Sequence, residues 1–195
     1  MTAVRDIHSS LIERCKRGDR KAQYELYRQY AKAMFNVSVR ISNDYMEAED
    51  VLQEAFVRAF KHINSFKGES TFGAWLKRIV VNTAINHLRK KKVDFIDLEQ
   101  VAYGQLPEPT HEPEAIPSCW TMDEIRQAIG QLPDGYRLVF SLYVIEGYDH
   151  GEISQVLDIS EATSKSQFSR AKKKLRELLN ERLNERKARK TYRDP

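Results

Sequence analysis

Lys165, Ser166, Ser169, Arg170 and Lys173 recur at helical spacing within DHGEISQVLDISEATSKSQFSRAKKKLRELL (residues 149–179). Cations and hydroxyls on one helix face suit phosphate oxygens and the base edges of a major groove. A second set lies in FKGESTFGAWLKRIVVNTAINHLRKKK (66–92). There Arg78, Asn82, Asn86 and Arg89 are spaced 4, 4 and 3, with Lys90 beside them and Phe66, Phe72 and Trp75 just upstream. Rings stack on unpaired bases, amides bond their edges and cations hold phosphates. Phe72 and Trp75 serve equally well as core residues. A third set is acidic. Asp50, Gln53 and Glu54, in EAEDVLQEAFVRAFK (47–61), form an acid-amide patch that suits a basic protein surface better than DNA; a solvated helix face has the same pattern.

Reaction chemistry finds little support. The five histidines (His8, His62, His87, His111 and His150) have no metal-ligand spacing, and Cys15 and Cys119 stand 104 residues apart. Neither GxxxxGK[ST] nor GxSxG occurs. The carboxylates of Glu47, Glu49, Asp50 and Glu54 are the one group able in principle to hold a metal. No metal, cofactor or catalytic residue is expected.

The elements that position these groups read as helices. Apolar residues recur at three and four, and alternating strand patterns are scarce. Helices are expected over 5–17, 20–41, 45–64 and 71–92, then over 120–130, 134–146, 149–157 and 160–187. Val51, Leu52, Ala55, Phe56 and Ala59 form a buried stripe. Asp44 with Glu47, Asp149 with Glu152, and Ser160 fit helix caps. In the C-terminal half, Ile153, Val156, Leu157 and Ile159 are expected to close a core with Phe168, Ala171, Leu175 and Leu178. The short helix, tight turn and longer helix make a helix-turn-helix, and an amphipathic hairpin is the plainer alternative.

Charge divides the 195 residues into zones. Residues 1–95 hold 18 Lys+Arg against 11 Asp+Glu, residues 96–160 hold 2 against 12, and residues 161–195 hold 12 against 5. Two basic blocks around an acidic middle point to two nucleic-acid contacts held apart. Pro107, Pro109, Pro113 and Pro117 interrupt helix formation within 93–118, so a linker is expected there. Its apolar Phe95, Ile96, Leu98 and Val101 suit docking on a surface. The expected fold is all-α: two small helical domains, 1–92 and 119–195, joined by a flexible proline-containing linker. No run approaches the roughly 18–20 apolar residues of a membrane span, and the charged N-terminus lacks a signal core. A cytoplasmic protein with no membrane insertion of its own is expected.

Taken in order, these segments resemble the extracytoplasmic-function sigma factors of bacterial RNA polymerase, over about 10–92 and 120–180. EDVLQEAFVRAF looks like the core-polymerase-binding helix, residues 66–92 like the promoter-melting and minus-ten segment, and residues 132–179 like the minus-thirty-five domain. The resemblance implies a transcription initiation factor without a catalytic centre. It implies that core RNA polymerase meets Asp50, Gln53 and Glu54. It places the melted minus-ten strand against Phe66, Ser70, Thr71, Arg78, Asn82, Asn86, Arg89 and Lys90, and the double-stranded minus-thirty-five element against Lys165, Ser166, Ser169, Arg170 and Lys173. It also implies an anti-sigma partner. Three residues depart from the pattern: Ser164 where an apolar residue is usual, Gln167 in place of a basic phosphate contact, and Asp158 in place of the turn glycine. Looser packing, a lost phosphate contact and a surviving turn are the respective expectations. The tail 181–195 continues basic past the usual end, and either adds DNA affinity or is disordered.

Two other functions fit parts of the sequence. An autonomous helix-turn-helix regulator explains residues 149–179 but not the acidic patch or the 66–92 block. An enzyme explains neither.

Overall fold

A computed structural model describes residues 8–91 and 120–191. Among these residues the structure is helical, without strands, and the chain divides into two compact units, Met1–Val93 and Asp94–Pro195. The expected linker, with its four prolines and apolar residues, and Lys92, Cys119 and residues 192–195 lie outside the described residues.

The first unit contains α1 (Ser9–Lys16), α2 (Arg20–Ser42), α3 (Tyr45–Lys61), a 3₁₀ turn (Ile63–Ser65) and α4 (Phe72–Lys90). Side chains set the helix starts. Asp19 accepts from the Lys21 and Ala22 amides at 2.9 and 3.1 Å, and its other oxygen pairs with Arg14 at 2.7 Å. One carboxylate therefore begins α2 and holds the end of α1. The Arg14 bond, with the amides, keeps Asp19 below the usual carboxylate range. Asp44 caps α3 by accepting from the Met46 and Glu47 amides, whereas the Glu47 side chain pairs with Lys91 instead of returning to the cap. Thr71 caps α4 through the Ala74 amide at 3.2 Å. Asn43 ends α2 in the left-handed region (φ 56°), which its side chain tolerates.

Helices α2, α3 and α4 pack on one another. The expected stripe of Val51, Leu52, Ala55, Phe56 and Ala59 is buried. Phe72, fully buried, anchors α4 and meets Tyr30, Phe66 and Trp75 with ring centroids 5.4–5.6 Å apart. Burying one such ring is worth about 1.5–3 kcal/mol. Gly73 leaves room for Tyr30, since a Cβ there would lie 3.0 Å from its ring.

The second unit contains α5 (Met122–Gly130), α6 (Asp134–Phe140), a wide i→i+5 turn (Ser141–Ile145), α7 (His150–Leu157) and α8 (Glu161–Thr191). Thr121 with Glu124 and Asp149 with Glu152 make reciprocal capping boxes on α5 and α7. Ser160 starts α8 by accepting from the Thr163 amide at 2.9 Å. Ala128, Leu132, Phe140, Ala171, Leu175 and Leu179 form a core flanked by Trp120, Tyr136, Phe168 and Leu178. Ile153 and Leu157 are buried beside it, while Val156 and Ile159 are half-buried. Arg137, 4% exposed, pairs with Asp134 at 2.6 Å and donates to the Leu132 carbonyl, which braces the turn between α5 and α6.

Two expectations change. The helix expected over 134–146 continues to Ile145, but after Phe140 it winds more widely, the Glu146 amide reaching the Ser141 carbonyl. Residues 137–142 are all buried, whereas Tyr143, Val144 and Ile145 are exposed. The basic tail, at least to Thr191, continues α8 as helix. Its Arg182 donates to the Glu124 carbonyl and Gln127, and Arg186 pairs with Glu124 above the Trp120 ring. These contacts hold the extension along α5.

Candidate nucleic-acid and protein interfaces

On α3 the outward strip runs Met46, Asp50, Gln53 and Val57. Their spacing of 4, 3 and 4 keeps them on one face. Met46 and Val57 are 80% and 68% exposed, so two apolar side chains flank the acid-amide pair. The sequence reading did not include Met46, which helical periodicity places one turn before Asp50. Glu54 does not share this freedom. Its Oε2 lies 2.6 Å from His87 Nε2, and its Oε1 pairs with Arg58. The His87 bond is the largest influence holding its carboxyl below the ordinary range. Asp50 and Gln53 are the exposed members of the patch, and Glu54, with its side chain 32% exposed, is also bonded within the unit.

The sequence-predicted minus-ten residues divide by exposure. Arg78, Asn82, Arg89 and Lys90 are exposed along α4, and Asn86 is half-buried between them. Ser70 and Thr71 are exposed at the loop preceding α4, although the Thr71 oxygen is occupied as a cap. Gly68 takes φ 75° there, a turn that suits glycine. Phe66 corrects the sequence reading. It is 6% exposed, and its ring packs on Phe72 and Trp75 at 5.6 Å. The aromatic group is core, so Phe66 presents no stacking face to a base, and Trp75 is half-buried.

In the second unit α7, the turn and α8 form the expected helix-turn-helix. Asp158 takes φ 59°, so the turn survives without glycine. Lys165, Ser166 and Lys173 are exposed on α8, with Ser169 and Arg170 half-buried alongside. Lys165 pairs with Glu161 at 2.7 Å, and the Ser166 hydroxyl donates to the Thr163 carbonyl at 2.9 Å. Exchanging either contact for DNA needs only a surface side-chain rotation. Lys172 rests over the Phe168 ring at 4.8 Å.

One of the expected consequences of the departures is corrected. Gln167 is 2% exposed, so it faces the interior and offers no phosphate contact, in keeping with the expected loss. Ser164 is fully buried, but its hydroxyl lies 2.9 Å from His150 Nδ1. The imidazole stacks on Tyr143 at 4.5 Å and meets Phe168 edge-on at 5.7 Å. A serine–histidine bond thus fills the apolar position and joins the two helices of the motif. Burial, then the nearby Lys165, hold the His150 imidazole below its usual range. The histidine signal was invisible to a search for metal spacing.

Among the described residues, no three metal-ligating side chains converge, and no helix is long and apolar enough to cross a membrane.

Comparison with known proteins agrees with this arrangement. Residues 26–93 match Sigma-70 region 2, and residues 122–175 match Sigma-70, region 4. The chain is 32% identical over 183 residues to the RNA polymerase sigma-H factor of Pseudomonas aeruginosa, covering 90% of this chain and 95% of that one. It is 35% identical over 181 residues to the ECF RNA polymerase sigma factor SigW of Bacillus subtilis, covering 86% and 94%. The sigma factor RpoE of Bartonella quintana, solved in complex with the anti-sigma factor NepR, shares the fold at a TM-score of 0.52 and 22% identity, covering 80% of this chain and 96% of that one. With both region matches in order and these relatives aligned over nearly their whole length, the chain belongs to the extracytoplasmic-function sigma factors, which direct RNA polymerase to promoters.

Proposed function

We propose that each domain carries one part of promoter recognition. Residues 1–92 bind core polymerase and the minus-ten element, residues 93–118 link the domains, and residues 119–195 bind the minus-thirty-five element. The carrying observation is that α3 and α4 expose different chemistry from one packed unit: Met46, Asp50, Gln53 and Val57 on one helix, and Arg78, Asn82, Arg89 and Lys90 on the other. The first strip has the apolar–acid character of a surface for a basic protein. The second has the amides and cations that hold an unpaired strand.

Asn82 and Asn86 meet base edges, while Arg78, Arg89 and Lys90 hold phosphates. Ser70 and Thr71 line the approach to an extruded base. Unstacking a base costs a few kcal/mol, which contacts made only with the open strand offset. In the second domain, Lys165, Ser166, Ser169, Arg170 and Lys173 read and grip the duplex. The protein performs no covalent chemistry, works in the cytoplasm, and is held inactive by an anti-sigma partner. The solved relative's complex with NepR supports the last point.

The test is capture of sigma-free core polymerase by the tagged chain, beside the double variant D50R/Q53A. Retention by the wild type with loss in the variant supports the docking strip. Equal retention refutes that assignment.

A further inference from the structure

We propose that the outward face of α2 is a second DNA track of the first unit, gripping the unpaired strand beyond the minus-ten segment without reading its sequence. Arg20, Tyr24, Arg28 and Lys32 are spaced 4, 4 and 4, and all are exposed, Tyr24 at 64%. Lys21 is exposed beside them. Each step of four residues turns the helix by only about 40° beyond a full turn and rises about 6 Å, so the set stays on one side. Leu26, Met34 and Val37, all buried, mark the opposite side.

The pairing of charges distinguishes this face. Cations at the helix junctions of the unit are matched: Arg14 by Asp19, Lys16 by Glu13 and Lys91 by Glu47. The cationic groups of Arg20, Lys21, Arg28 and Lys32 have no such partner among the described residues, and Glu25 is the one acidic residue of α2. The proposed minus-ten set on α4 uses only part of the basic excess of residues 1–95, and α2 adds four cations against one carboxylate. In a chain that binds DNA, phosphate is the complement of such a face. The ring and the location then select the form of DNA. Tyr24, held between two arginines, offers an open ring for stacking, and only an unpaired base has a face to meet it. The track also lies on the far side of α2 from the core that this helix shares with α4. A single strand leaving α4 is flexible enough to turn onto it, whereas a duplex, stiff over about 150 bp, is not. This extends the proposed role of α4, from which the strand arrives.

The experiment uses the full chain assembled with core polymerase. One forked DNA carries the minus-ten block selected by the wild-type holoenzyme and an unpaired strand running past it; a second fork stops at the block. Wild type, R20Q/R28Q/K32Q, Y24A, Y24F and N82A are compared over a range of salt, and core affinity is measured separately. The wild type should prefer the long fork. The triple variant should lose much of that preference, and its long-fork binding should depend less steeply on salt, by about 2 in log–log slope, from roughly 0.7 for each of three phosphates on a single strand. Y24A should bind the long fork about tenfold more weakly, the scale of one stacked base, while Y24F keeps the wild-type affinity. Core affinity and the bases chosen within the block should not change in these variants. Full retention of the long-fork preference by both the triple variant and Y24A overturns the proposal. A fall in core affinity in the triple variant, with fork binding at saturating core unchanged, also overturns it and assigns the face to an acidic protein surface. Unchanged base choice in N82A would refute the minus-ten reading of Asn82 alone, since the α2 track is read from strand length and not from sequence.

Discussion

Replacing Ser164 with alanine removes one hydroxyl from a small side chain, yet the structure makes this an expensive change. Ser164 is fully buried, and its Oγ lies 2.9 Å from His150 Nδ1. Alanine leaves that ring nitrogen without its partner, between Tyr143 and Phe168. An unpaired buried polar group costs about 1–3 kcal/mol, and the half-buried setting of His150 places the loss in the lower half of that range, about 1.5 kcal/mol. For a unit of this size that lowers Tm by roughly 6–12 °C. Replacing both partners, as H150L/S164V, removes the polar groups together and should cost much less than the two single changes summed. The cycle should yield a coupling of about 1–2 kcal/mol. The assay is denaturant unfolding followed by Trp120 fluorescence in a Trp75→Phe background, because Trp75 and Trp120 are the two tryptophans and Trp120 packs on the second core. Duplex binding should weaken in step, since Lys165 and Ser166 adjoin Ser164. A loss below about 0.3 kcal/mol, or simple additivity, would refute the reasoning.

Three further outcomes are expected. Because burial holds His150 below its usual range, the unfolded state takes up the proton first; the second unit should keep this contribution above about pH 6.5 and lose it as pH falls toward the lower folded value, a slope that H150L should flatten in pH-dependent melting. Arg170→Ala should relax choice at one minus-thirty-five position by about 1–3 kcal/mol in competition binding, whereas a uniform loss would make Arg170 a phosphate contact. Asp158→Gly should stabilise the second unit by about 0.5–1 kcal/mol in the same unfolding assay, because glycine carries no Cβ penalty at φ 59°.

Much of this was legible because local physics decided it. The stripe from Val51 to Ala59 follows helical period, and Asp149 with Glu152 announces a cap within four residues. The errors share another cause: partners remote in sequence. The bond of Glu54 to His87, 33 residues away, is likewise invisible in the local pattern. Phe66 reads as a stacking ring until Phe72 and Trp75 enclose it. Ser164 reads as a packing defect because its hydrogen-bond partner is not its neighbour in sequence, yet Ser164 and Gln167 both complete the buried face of α8. Ser164 could be buried because His150, on the preceding helix, supplies a hydrogen bond. The wide turn after Phe140 escaped notice for the opposite reason: residues 134–146 carry a continuous helical pattern, and nothing in their periodicity marks the extra residue in the turn.

Both domains acting through polymerase is the central claim, and one measurement tests it directly. A randomised duplex library is selected by the chain alone and by the chain assembled with core enzyme, and the bound sequences are compared. Two short sequence blocks at a constant separation, enriched only with core, are the predicted result. Equal enrichment by the chain alone would contradict it and identify an autonomous DNA-binding regulator.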